Sequence, residues 1–339
     1  MKQFSNIKPI KQTAVKYSAV IMLVCIFVCL CSCKFGNDEA LSNKNADDGA
    51  KRVYEMIKSA EGSYTLSGQQ ESTWMGSEDY EFEYIQSASG RLPAIRGFDY
   101  MNDDFDGVNE RAVKWAQQGG LVTICWHTGA DFSGEWADAQ NDEITDWDRA
   151  LTPGTEEYET LINGMDKGAK ALKDLQNKGV TVIWRPFHEF DGGWFWWGKG
   201  GNKNFIKLWR IMYERYTEYW ELNNLIWVLG YSHNGEDYRK WNPGSDYYDV
   251  VGADSYDGGA MPELYKEVKK VNLKGKPVCF HECGANPTAE EFTETPWVWF
   301  MTWHTEYLTD NNSPETLKEL YNSDRVITLD ELDILKAGN

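Results

Sequence analysis

Positive charge is scarce in this chain. Its 34 Lys and Arg stand against 53 Asp and Glu, a formal net charge of -19. Such a surface repels phosphate backbones, which excludes nucleic acid as a partner and leaves neutral substrates open. Cysteine is also sparse where it would matter. Of the 7 Cys, Cys25, Cys29, Cys31 and Cys33 lie in the leading segment, leaving only Cys125, Cys279 and Cys283. Three is odd, no zinc-type spacing occurs, and Cys279 and Cys283 are too far apart on one extended strand to pair. They read as small buried hydrophobes. No Gly-rich phosphate loop follows the first strand, and no His-Glu-x-x-His signature is present. Neither a cofactor nor a metal is expected. There is no internal repeat, and no second domain is required.

What the chain does have is apolar and aromatic content. It is 42% hydrophobic and 26% charged over 339 residues, with 16 Trp, 18 Tyr and 14 Phe. That is a globular composition, and the length suits one large α/β barrel. Tryptophans clustered near glycine favour a ligand cleft.

The first 33 residues read as a targeting segment. Lys2, Lys8, Lys11 and Lys16 precede an apolar run over 19–30, the signal-peptide pattern. The run ends in Leu30-Cys31-Ser32-Cys33, which resembles the lipobox of bacterial lipoproteins. The resemblance implies cleavage before Cys33, lipidation of its thiol, and a place in the bacterial cell envelope. An uncleaved anchor and ordinary secretion rank behind it. Residues 34–47 read as a polar tether, and 48–339 as the catalytic domain.

Within that domain, strand and helix signals alternate. Apolar or β-prone runs fall at 64–67, 94–98, 121–126, 180–184, 225–229, 250–253, 277–280 and 297–302. Helical stretches at 50–60, 109–118, 156–177, 204–219 and 262–271 precede or separate them. Eight strands with intervening helices predict an α/β fold, a (β/α)8 TIM barrel, with an open doubly wound sheet as the alternative. Polar groups gather where the strands end: Asp99 after the second, His127 after the third, His188 and Glu189 after the fourth. His233 follows the fifth, Asp254 and Tyr256 the sixth, His281 and Glu282 the seventh, Trp303 and His304 the eighth. In a barrel these ends share one face, where active sites sit.

The densest stretch is Trp184-Arg185-Pro186-Phe187-His188-Glu189-Phe190-Asp191-Gly192-Gly193-Trp194-Phe195-Trp196-Trp197-Gly198. A buried strand that ends in Arg, His and Glu delivers them to something polar. Aromatic faces beside carboxylates suit sugar rings, which have apolar C–H faces and hydroxyl rims. Glu189 and Glu282, on the fourth and seventh strands, can face each other across the mouth, an arrangement that cleaves glycosidic bonds.

From Arg185 to Gly198 the chain resembles glycoside hydrolase family 26, most of whose members are β-1,4-mannanases. The resemblance extends from about residue 50 onward. It implies a (β/α)8 barrel and a retaining mechanism, with Glu189 as acid/base and Glu282, in Phe280-His281-Glu282-Cys283-Gly284, as nucleophile. It further implies that His188 contacts substrate beside the acid, that Tyr256 hydrogen-bonds the nucleophile, and that Trp194 and Trp303 wall the central sugar subsite. His127 fits a substrate-binding role, and Arg185 is suited to holding a carboxylate. Asp99 and Asp254 are as consistent with tying loops as with touching sugar, and His233 and His304 with being polar strand ends.

The expected partner is therefore β-mannan polysaccharide or its oligosaccharides, met by a lipid-anchored monomer. Mannobiose release from chain ends, or cleavage of β-glucan or β-1,3-xylan, is the alternative within the family. Two other classes compete. A metal hydrolase is suggested by the repeated His-Glu, but adjacent strand residues point to opposite faces. A non-catalytic glycan-binding barrel would ordinarily lack one carboxylate, and both are here. The segment 128–155, with Trp136 and Trp147, is long enough to wall off one end of the cleft.

Overall fold

The computed structural model describes residues 41–336 except Leu273. The targeting segment, Cys33 and the first part of the tether lie outside those residues. Eight parallel strands close into a barrel. They are β1 Gly68–Gln70, β2 Ile95–Asp99, β3 Leu121–Cys125 and β4 Val182–Arg185, then β5 Leu225–Ser232, β6 Val250–Ser255, β7 Val278–Cys283 and β8 Phe300–Thr302. Closure runs through the pairing of Gln69 with Thr302. This is the expected (β/α)8 architecture, and its strands carry almost continuous buried runs, as strands covered on both faces must.

The first strand departs from expectation. The apolar run at 64–67 contributes Thr65–Leu66, which pairs not in the barrel but with Val326–Ile327 in a separate two-stranded sheet. The barrel strand is the polar Gly68-Gln69-Gln70 that follows. Glycine is required at its start, because a Cβ on Gly68 would stand 2.5 Å from the Phe300 carbonyl oxygen across the closure. Gln69 spends its side-chain amide on the carbonyls of Gln70 and Trp303, at 2.9 and 3.3 Å. A polar strand buried in this way gives no hydrophobic signal.

The tether is also shorter than expected. Leu41 and Ala46 are buried against the lower core, and the Asn43 side chain donates to the Leu222 carbonyl at 3.1 Å. Asp47 caps the helix Asp48–Ala60 through the Ala50 N–H. Residues 41–47 thus belong to the folded domain, because apolar burial and a cap hold them there. The helix Phe105–Gln117 starts earlier than its apolar spacing suggests, since Asp104 caps it. The helix Glu156–Asn177 has the expected bounds. The stretch expected as one helix from 204 is Asn202–Glu214 followed by a π-helical turn, Arg215–Tyr219. Cys125, Cys279 and Cys283 are free and buried, as read from the sequence.

Beneath the first two loops lies a charged knot. Glu71 accepts from Arg96 Nε at 2.9 Å and Arg111 Nε at 2.8 Å. Asp79 and Asp104 reach the same guanidinium groups from outside, at 2.6 and 3.3 Å. Removing the shared buried anion strands two guanidinium groups that have only exposed partners left. Glu71→Ala is therefore expected to destabilise the barrel by about 3 kcal/mol, read as a fall in the urea midpoint with an unchanged slope.

Candidate active site

Two local devices bring the carboxylates together. The first is a bulge on β7. Against β6, Ala253 pairs with Phe280 but Asp254 pairs with Glu282, so His281 is an extra residue. Strict alternation would put Glu282 on the same face as Phe280, which stacks on Trp297 in the outer core at 5.1 Å. The extra residue re-aims Glu282 into the mouth, the service bulges perform beside active sites. It also lets both members of the His281-Glu282 pair meet Arg185, at 3.4 and 2.6 Å. The second device follows β4. Phe187 and Glu189 adopt positive φ, 48° and 54°, where only glycine is at ease. The Glu189 N–H nevertheless keeps a ladder bond to the Gly230 carbonyl at 2.8 Å.

Glu282 is seated by three groups. Arg185 Nη1 lies 2.6 Å from Oε1, Tyr256 Oη donates to Oε2 at 2.8 Å, and His188 Nε2 stands 3.4 Å from Oε1. Burial pushes the Glu282 carboxyl up and the Glu189 charge adds to this, while Arg185, His127 and Tyr256 pull it back. Glu189 accepts from Trp194 Nε1 at 2.7 Å. Asp254 faces the same carboxylates, and burial followed by the charges of Glu189, Glu282 and Asp191 pushes its acid far up. His188 and His281 are held neutral by burial and then by Arg185. For His127, burial pulls the pKa down and the Asp99 carboxylate, 2.5 Å from Nδ1, pulls it up; Asp99 prevails.

One oxygen from each of Glu189, Asp254 and Glu282 lies within 4.8 Å of the others. Three carboxylates so close invite a cation, and Arg185 already supplies one. The spacing is short of the room an inverting hydrolase leaves for water and fits double displacement.

Glu189, Glu282, His127, Trp194, Tyr256 and Trp303 all line one cavity of about 580 Å³. Asp99 and His304, left open in the sequence, line it as well. His188 does not; it is buried behind Glu282, among Phe195 and Trp197. His233 lies outside the cavity, beside Asp257 at 3.1 Å. The aromatic run divides by role. Trp194 and Phe195 face the cleft, whereas Trp196 and Trp197 are core, their indole N–H groups donating to the Thr128 and His188 carbonyls at 2.8 Å. From the segment 128–155, Trp136 reaches the cavity, while Trp147 stacks on Trp196 at 6.4 Å. Sequence reasoning missed Trp74, Met101, Asn102 and Tyr307, which line it too, as do Glu135, Ala137 and Gln140 beside Trp136. A tryptophan in the polar run Glu71-Ser72-Thr73-Trp74 is a signal, but the misplaced first strand hid that it sits on a strand-end loop.

Facing carboxylates at the ends of β4 and β7, in a barrel mouth walled by tryptophan, define the class as glycoside hydrolase. Residues 42–331 match Glycosyl hydrolase family 26, and the chain belongs to that family. It is 32% identical over 323 residues to a mannan endo-1,4-beta-mannosidase of Thermothelomyces thermophilus, an alignment covering 87% of this chain and 64% of that one. Mannan endo-1,4-beta-mannosidase B of a Piromyces species is 34% identical, covering 86% and 53%. The chain thus spans about half to two thirds of the length of these curated relatives. Among solved structures, GH26A from Muricauda sp. MAR_2010_75 superposes with a TM-score of 0.79 at 33% identity, covering 85% of this chain and 99% of that one.

Tyr256→Phe removes a neutral donor from a charged acceptor, a loss of about 1.5–3 kcal/mol. A fall in kcat of about tenfold to a hundredfold is expected, with the thermal midpoint nearly unmoved. Unchanged kcat would show that the phenol's bond to Glu282 plays no part in turnover.

Proposed function

We propose that this chain hydrolyses β-1,4-mannosidic linkages within mannan, galactomannan or glucomannan, retaining configuration by double displacement. The observation that carries the reading is the pair Glu189 and Glu282, close enough that one must attack rather than activate water from across the ring. The substrate class is supported by the mannan endo-1,4-beta-mannosidase names of the two curated relatives.

Glu282 attacks the anomeric carbon as a carboxylate. Arg185 and the Tyr256 hydroxyl orient it and stabilise its charge. Glu189, held by Trp194, gives its proton to the departing glycosidic oxygen. The ester between C1 and Glu282 is then opened by water, whose proton returns to Glu189. Burial beside both carboxylates pushes the Asp254 acid up toward its neutral form, so it adds little charge next to Glu189 in the deprotonated interval between the two steps. Trp194 and Trp303 present faces to the rings on either side of the bond.

Proton NMR is expected to show a β anomer as the first product. An α anomer would overturn double displacement. Glu189→Ala should keep the first step with a good phenolic leaving group, and added azide should trap a β-glycosyl azide. If Glu282→Ala gives the β-azide instead, the two roles are exchanged. A time course on mannohexaose and galactomannan separates internal cutting from mannobiose release.

The same reading extends to the amino-terminal segment, where lipid on Cys33 would anchor the barrel to a cell-envelope membrane. The support is the basic start, the apolar run and the Leu30-Cys31-Ser32-Cys33 ending. Cys33→Ser is expected to move activity from the membrane fraction to the soluble fraction at unchanged specific activity. Attachment that survives the substitution, with the leading segment cleaved, would exclude a lipid at this residue.

A further inference from the structure

We propose that Trp74 and His304 form a further sugar-binding subsite, on the glycone side of the cleft, for a pyranose ring of a long β-linked chain. The inference rests on the glycosidase reading above and adds a site to it.

Four aromatic rings run outward from the catalytic pair. Trp303 lies 6.0 Å from His127, His304 lies 4.7 Å from Trp303, and Trp74 meets His304 at 4.9 Å with the planes at 82°. All four line the cavity that holds Glu189 and Glu282. Trp74 is 55% exposed. A lone exposed indole is unremarkable on a surface, but this one continues a cleft that already carries tryptophan walls.

The direction follows from topology. His304 belongs to the loop after β8 and Trp74 to the loop after β1, and these two strands are neighbours at the closure. β4 stands across the barrel from β8. Glu189, after β4, protonates the oxygen that leaves with the aglycone, so the β8 and β1 side receives the sugars retained on the nucleophile.

The loops that carry Trp74 and His304 are fastened to each other from below. Glu81 is fully buried. Its carboxylate accepts from the Ser72 N–H at 3.1 Å, the Ser72 hydroxyl at 2.7 Å and the Thr305 N–H at 3.0 Å. Ser72 is two residues from Trp74, and Thr305 adjoins His304. Thr305 is held at φ 54°, a conformation a β-branched residue avoids. A buried anion and a strained backbone together fix the relative position of two loop tips, which surface loops without a task do not require. His304 is suited to a hydroxyl rim. Burial lowers its pKa to about 4, so near neutral pH the ring carries no charge, and with Nδ1 3.2 Å from the Thr305 hydroxyl it is Nε2 that is left for a sugar hydroxyl.

Aryl glycosides test this, because the phenol fixes which sugars lie on the glycone side. For the full chain, kcat/KM is measured on aryl β-mannobioside and aryl β-mannotetraoside, and on the matching cello-glycosides, with and without Trp74→Ala. The expected result is a loss of about tenfold on the tetraoside and less than twofold on the bioside. An equal loss on both lengths, or none on the tetraoside, overturns the subsite. If the native protein cleaves the cello series and not the manno series, the mannan reading fails while Trp74 is judged on the cello pair. Cleavage of neither series overturns both.

Discussion

The mouth of this barrel is organised by one buried contact, Arg185 against Glu282, whose side chains are each only 3% exposed. Taking two charges out of water is costly, and the pair is tolerable only with close geometry and further hydrogen bonds. The surroundings meet that demand. Tyr256 takes the second carboxylate oxygen, and the bulge at His281 brings the strand into register for the guanidinium. Burial first, and the Arg185 cation second, keep the neighbouring His188 and His281 neutral. On the negative side, burial and the neighbouring carboxylates push the Asp254 acid up toward its neutral form. The result is that Glu282, the proposed nucleophile, has its charge balanced before substrate arrives, the preorganisation on which electrostatic catalysis depends.

Much of this was legible in the residues. Charge at the ends of apolar runs marks barrel strand ends, because a strand covered on both faces can carry such groups only where it leaves the core. That placed Glu189, Glu282, His127, Tyr256 and Trp303 on one rim, and Arg185 was correctly suited to holding a carboxylate. What stayed hidden has two physical causes. Register lies below sequence resolution: alternation gives no hint that His281 is a bulge residue, so the family resemblance implied the Tyr256 contact to Glu282 but not the pairing of Glu282 with Arg185. Polar strands are silent as well. Gly68-Gln69-Gln70 relies on the Gln69 amide N–H and a close backbone approach, neither of which is a hydrophobic signal. Missing that strand shifted the first loop and concealed Trp74.

The tryptophan run shows why composition alone misjudges a cleft. In Trp194-Phe195-Trp196-Trp197 the first two rings face sugar space and the last two are sealed in the core, their N–H groups spent on backbone carbonyls. The sealed pair braces the loop carrying Glu189 and His188 against the segment after β3. The same four residues therefore serve both packing and recognition, and neither reading of them alone is complete.

Glu189 sits in a left-handed conformation that glutamate does not favour and that asparagine or glycine would accept at little cost. Folding and chemistry thus make opposite demands on a single position. Selection for thermal endurance alone would drift residue 189 toward Asn or Gly and leave an inert but sturdier barrel. On the proposed mechanism it is turnover that keeps the acid there, and the rest of the domain holds its strained backbone in place.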